Sequence, residues 1–116
     1  MLETPHGVMS VGTTHLSFVP GWNVRQLRHA IRAMRALPAP RILLGDLNMP
    51  AGPVRAFTGW RPLARVATFP SPSPRTQLDH VLVDPRGQVA LGRVVQVRTP
   101  HPPVSDHRPL VVRVDR

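Results

Sequence analysis

The stretch Arg41-Ile42-Leu43-Leu44-Gly45 constrains this chain more than any other. After the arginine it is continuously apolar, and Pro40 and Gly45 bound it. A run that short and uninterrupted reads as a strand buried on both faces. Upstream, Val8–Leu16 mixes Val and Thr with alternating apolar residues and reads as a strand, closed by the turn signal Pro20-Gly21. A helix falls between the two strands. Asn23 is placed to cap it, with Gln26 at the third position in a variant of the capping box, and Trp22 and Leu27 fit a hydrophobic staple. Val24, Leu27, Ile31 and Met34 recur at helical spacing and make one apolar face. Pro38 and Pro40 stop the helix. Strand, helix and buried strand together predict a crossover unit.

Beyond it, Gly52-Pro53 starts a loop or a short helix through Val54–Phe57, and Pro70–Arg75 is a surface loop. Leu78–Val83 is a strand, ended by the turn Asp84-Pro85-Arg86-Gly87. Leu91–Val97 is a Val-rich strand, Pro100–Pro103 a rigid loop, and Leu110–Val114 a last strand. No internal repeat is visible. The class is α/β, dominated by strands, and 116 residues make one small domain at most.

The chain has 15 basic residues, all Arg, against 6 acidic ones, for a net charge of +9. Such a balance suits a phosphate-bearing partner. Arg without Lys, beside abundant Ala, Val, Pro and Gly, also fits the codon bias of a GC-rich genome. Arg25, Arg28, Arg32 and Arg35 fall opposite the apolar face of the helix and read as a solvated side. With no cysteine, a disulfide framework, a thiolate metal site and a cysteine nucleophile are excluded. No apolar run approaches the roughly 18 residues of a membrane span. The first residues lack the basic and apolar regions of a signal peptide, so a cytoplasmic location is expected.

So few acids make their positions informative. Asp46 follows directly on the buried strand, Asp79 lies within Gln77–Val83, and Asp106 precedes the last strand. Strands disfavour Asp, and burying an unpaired carboxylate is costly, so each needs a partner or a task. In extended chain Asp46 and Asn48, two apart, would point to one side; Gly-Asp-x-Asn is equally good turn chemistry. Ser105, Asp106 and His107 are neighbours in sequence and so make no hydrolase triad, whose members converge from separate segments. His80 should point away from Asp79 and reads as structural.

Taken in order, Thr14-His15-Leu16-Ser17, Leu44-Gly45-Asp46-Leu47-Asn48, Leu78-Asp79-His80-Val81-Leu82 and Ser105-Asp106-His107-Arg108-Pro109-Leu110 resemble the C-terminal half of the endonuclease/exonuclease/phosphatase superfamily, the deoxyribonuclease I-like group. The resemblance runs from about Val8 to Val114. It implies half of a four-layer α/β/β/α sandwich, one mixed β-sheet with a covering helix. It also implies a divalent-metal-dependent phosphoester hydrolase, a phosphodiesterase or nuclease or a phosphatase. Carried over by position, His107 would be the general base or phosphate-polarising imidazole, and Asp79 would fix its tautomer. Asp46 would orient and deprotonate the attacking water, Asn48 would donate to the phosphoryl oxygens, and His15 would contact the phosphate or assist the leaving group. Asp106 would bind the metal, Mg²⁺ or Mn²⁺.

In that superfamily the N-terminal half supplies a metal-binding Glu. The one Glu here, Glu3, is too close to His15 to match it and belongs to the strand edge leading into Val8. The sequence therefore reads as a truncated chain, weak or inactive alone, with an inner sheet face awaiting a complementing N-terminal half or a second copy. The alternative is a non-catalytic Arg-rich module that binds nucleic acid or a protein partner.

Overall fold

The computed structural model describes residues 2–4, 7–70, 73–87, 93–99, 107 and 111–115. Strands β1 (Leu2–Thr4) and β2 (Gly7–His15) lead into helix α1 (Trp22–Arg35), and β3 (Arg41–Asp46) follows. Helix α2 (Ala51–Thr58), β4 (Arg61–Pro62), β5 (Asp79–Val83), β6 (Arg93–Arg98) and β7 (Val111–Asp115) complete the order. Five strands form one mixed sheet in the order β1-β2-β3-β5-β4, while β6 and β7 pair antiparallel by themselves. The expected crossover is present: β2 and β3 are parallel and α1 connects them. The expected loop Pro100–Pro103, Asp106, Leu91-Gly92 and Leu110 lie outside the described residues. No helix among the described residues is long and apolar enough to cross a membrane.

The strands' alternation sorts the core onto two faces. On the helix-covered face, Leu43 and Leu82 pack with Leu27, Ile31 and Met34 of α1, Val54 of α2 and Trp60. On the opposite face Ile42 and Val83 are buried, while Met9, Val11, Leu44, Leu63 and Val81 are half-buried around them. The central strand is thus buried as expected at Ile42 and Leu43, on opposite faces, and only half-buried at Leu44. Arg25, Arg28, Arg32 and Arg35 are exposed, as a solvated side requires.

The start of α1 departs from the sequence reading. Gly21, at φ 82°, is the N-cap and no side chain caps the helix. Asn23 is instead buried inside the first turn, where its Nδ2 donates to the Asn48 carbonyl at 3.4 Å. Gln26 accepts from the Ser17 amide at 2.8 Å rather than reaching back to the cap, and Trp22 is the first helical residue, half-exposed. Both residues are used to tie α1 to the loops beside it, a tertiary demand that local capping statistics do not see. Glu3 lies in a strand, as expected, but that β1 is a separate strand antiparallel to β2 was not foreseen, nor was the two-residue β4; both are too short to show a period.

Candidate active site

Three polar residues lie side by side where β2, β3 and β5 end or begin. His15 pairs with Asp46 in the parallel ladder, and Asp46 with Asp79 in the antiparallel one. Two further rows lie behind, Thr13–Leu44–Val81 and then Val11–Ile42–Val83. All three rows occupy the face away from the helices. Moving along that face, the lining changes from apolar to charged within two rows.

Asp46 is the hub. Its Oδ2 lies 3.4 Å from His15 Nε2 and 3.6 Å from His107 Nε2. Its Oδ1 accepts the Asn48 amide at 2.9 Å. That last bond decides between the two readings of Gly-Asp-x-Asn: β3 stops at Asp46, and Asn48 turns to φ 50°. The extended-chain argument for Asp46 and Asn48 is therefore corrected to a turn in which the aspartate holds the backbone two residues on. The Asn48 carboxamide donates to the Leu16 carbonyl at 2.7 Å, which leaves one of its two Nδ2 hydrogens for another acceptor. Gly45 permits the approach. Its φ is 141°, and a Cβ there would sit 1.9 Å from the Thr14 carbonyl oxygen.

Asp79 opens β5 rather than lying inside it. Its Oδ2 is 2.7 Å from His107 Nδ1. A carboxylate at that distance holds the proton on Nδ1 and leaves Nε2 facing Asp46. The Phe69 ring packs against the imidazole with centroids 4.9 Å apart. Backbone placement of Asp79 comes from Thr68, fully buried, whose hydroxyl accepts the Leu78 and Asp79 amides at 3.2 and 3.3 Å. Gln77 Nε2 adds donors to the Ala64 and Asp79 carbonyls. Sequence reasoning missed Thr68, Phe69 and Gln77. They gain their roles only because Phe69 and Thr76 bridge and fold the Pro-rich loop back onto β5.

His80 points the other way, as expected, and is 2% exposed. Its Nε2 meets the Met49 carbonyl at 2.8 Å. Burial pushes its pKa below the ordinary value; the Met49 carbonyl and the Asp79 charge oppose the shift without cancelling it. Among the described residues its Nδ1 makes no hydrogen bond of good geometry, and the Gln77 backbone also opposes the shift.

Asp46, Asp79 and His107 could hold a metal ion, since one ligand atom from each lies within 4.8 Å of the others. Two carboxylates suit a hard divalent cation that keeps waters and substrate oxygens as further ligands. The short His107–Asp79 bond argues for a narrower division, with the imidazole engaged to its own carboxylate and the cation left to oxygen donors. The site thus combines a hydrogen-bonded His–Asp pair, a second carboxylate and a largely exposed histidine.

Comparison with known proteins adds a family and a fold. A family model described as Endonuclease/Exonuclease/phosphatase family matches residues 3–107. The crystal structure of an endonuclease/exonuclease/phosphatase family protein from Bacteroides thetaiotaomicron superposes with a TM-score of 0.61 at 19% identity. The match covers 86% of this chain and 46% of that one, so the chain spans about half the length of that relative. No curated protein sequence matches.

Proposed function

The chain belongs to the endonuclease/exonuclease/phosphatase family, and from that premise we propose that it carries the chemistry of a divalent-metal-dependent phosphoester hydrolase. The observation that carries this reading is the row His15–Asp46–Asp79 with His107 bonded to Asp79 at 2.7 Å. Hydrolysis adds water to phosphorus and breaks the ester P–O bond. Asp46 orients the water and takes its proton. His107, its tautomer fixed by Asp79, takes a proton on Nε2 as an alternative base to Asp46, and once protonated there donates Nε2–H to a phosphoryl oxygen. The remaining Asn48 hydrogen donates to phosphoryl oxygens as charge builds there. His15, exposed at the rim, contacts the phosphate or assists the leaving group. Mg²⁺ or Mn²⁺, for which the family pattern assigns Asp106 and to which Asp46 and Asp79 offer oxygens, would supply Lewis-acid polarisation of the phosphoryl group.

The working unit is proposed to be larger than this chain, with the half-buried face of the sheet covered by a complementing half or a second copy. In the completed unit, Asp46→Ala, Asp79→Ala and His107→Ala are each expected to lower Mg²⁺-dependent hydrolysis of a chromogenic phosphodiester by about 10²–10⁴-fold with the fold intact. Retained activity in all three, with circular dichroism unchanged, would overturn the assignment.

The exposed Arg25, Arg28, Arg32 and Arg35, on a helix with no acidic residue in its first turn, favour a second reading: a non-catalytic module that binds nucleic acid. That reading expects oligonucleotide binding that weakens steeply with salt and is indifferent to Asp46→Ala.

A further inference from the structure

The turn between β2 and α1 leaves its large apolar side chains in water. Phe18 is 81% exposed, Val19 48% and Trp22 52%. Burying such side chains is favourable, and a single exposed one needs no explanation. Three within positions 18–22 mark a contact surface. The core beneath takes Leu16 and Leu27 instead, both buried. The turn is also held in shape. The Ser17 amide donates to the Gln26 side chain at 2.8 Å, the Ser17 hydroxyl accepts the Val19 amide at 3.0 Å, and the Val19 carbonyl accepts the Asn23 amide at 3.1 Å. The fold therefore presents these apolar groups outward on a fixed support.

The helix behind the turn carries a strong positive charge. Between Glu3 and Asp46 the sequence has no acidic residue. Arg25, Arg28, Arg32 and Arg35 recur three and four apart, on the side of α1 away from Leu27, Ile31 and Met34. Among the described residues none of these arginines pairs with a carboxylate. Two of them lie over aromatic rings, Arg25 over Trp22 at 5.8 Å and Arg28 over the exposed Phe57 at 5.4 Å. With 14 residues in α1, the basic stripe runs about 20 Å from an apolar tip.

We propose that this surface docks on a lipid bilayer containing anionic phospholipids, lying on the bilayer rather than crossing it. Phe18 and Val19 enter the acyl boundary, Trp22 sits at headgroup level beside Arg25, and Arg28, Arg32 and Arg35 lie along the lipid phosphates. The arginines alone suit any polyanion. The apolar tip decides, because nucleic acid has no apolar layer to receive Phe18 and Val19 together. Docking does not depend on the hydrolase reading. Where that reading holds, docking brings the rim histidine, His15, close to the headgroups, since it ends the strand that leads into the turn.

The test is co-sedimentation of the full chain with extruded vesicles of phosphatidylcholine and phosphatidylglycerol in equal parts, with pure phosphatidylcholine vesicles as the reference. Binding to the mixed vesicles is expected to be about tenfold tighter or more. It should blue-shift the tryptophan emission, and Trp22→Phe should abolish that shift, because Trp60 is already buried. Phe18→Ser combined with Val19→Ser keeps the charge and should weaken binding about tenfold or more. Arg28→Gln combined with Arg32→Gln should weaken it as much and flatten its dependence on salt. All four positions are exposed, so circular dichroism should stay unchanged. No binding to the mixed vesicles overturns the proposal, as does equal binding to both kinds of vesicle. So does binding that survives Phe18→Ser with Val19→Ser, which places the contact elsewhere. A single-stranded oligonucleotide that loses as much affinity in that double variant as the vesicles do assigns the surface to nucleic acid instead.

Discussion

Arg41 and Asp84 meet at 2.9 Å with side-chain exposures of 17% and 3%. An ion pair this buried contributes little against an apolar pair, yet removing one partner strands the other charge. Asp84→Ala is therefore expected to destabilise the chain by about 3–5 kcal/mol, measured by urea unfolding. The sequence placed Asp84 in a turn and left Arg41 without a partner, because their pairing depends on β3 and β5 lying adjacent. Thr68→Val removes the acceptor of two amides and should cost about 1–3 kcal/mol; under the proposed function it should also lower the kcat of the completed unit, since the Asp79 backbone loses its anchor. His80 carries a pH dependence. Folded, its pKa is lowered, whereas unfolded it returns to 6.5. The unfolded chain then binds more protons, so stability falls as pH drops through 6.5 toward the folded value, and this group adds no slope above it. Urea midpoints between about pH 8 and about pH 5 should show that fall, and His80→Gln should remove this part of it.

At the scale of elements, β3 and α1 carry the argument. Leu27 is fully buried at the centre of the α1 face, and Leu27→Ala is expected to cost about 2–5 kcal/mol in unfolding free energy. Gly45 allows β3 to pass close by β2 next to Asp46. Gly45→Ala should disturb the site more than Leu27→Ala does, and a mild metal-dependent assay alongside thermal melts separates the two effects. Both elements were legible because their signals are periodic or compositional: spacing for α1, an unbroken apolar run for β3. The cap of α1 was not legible. Asn23 obeys every local rule for a cap and is spent on the Asn48 carbonyl. The same limit applies to Asn48, whose turn conformation follows from Asp46 holding its amide.

Across the whole molecule, the sheet is covered by helices on one face and carries half-buried Val11, Leu44 and Val81 on the other. A charge on that face is expected to reduce association. Leu44→Lys should lower apolar-dye binding and shift the mass by light scattering toward the monomer if copies of the chain meet there. Four short motifs in order sufficed to anticipate the family and the convergence of Asp46, Asp79 and His107. The loop residues that hold them stayed hidden, because no period or motif marks a chain that folds back once. The ladder row has one more consequence. His15, Asp46 and Asp79 meet only when both strand pairings are correct, since a slip of one residue carries His15 (β2–β3) or Asp79 (β3–β5) to the opposite face. The candidate site is thus a coincidence detector for its own sheet: under the proposed function, misassembled copies would be silent, and turnover would report molecules whose strands are correctly aligned.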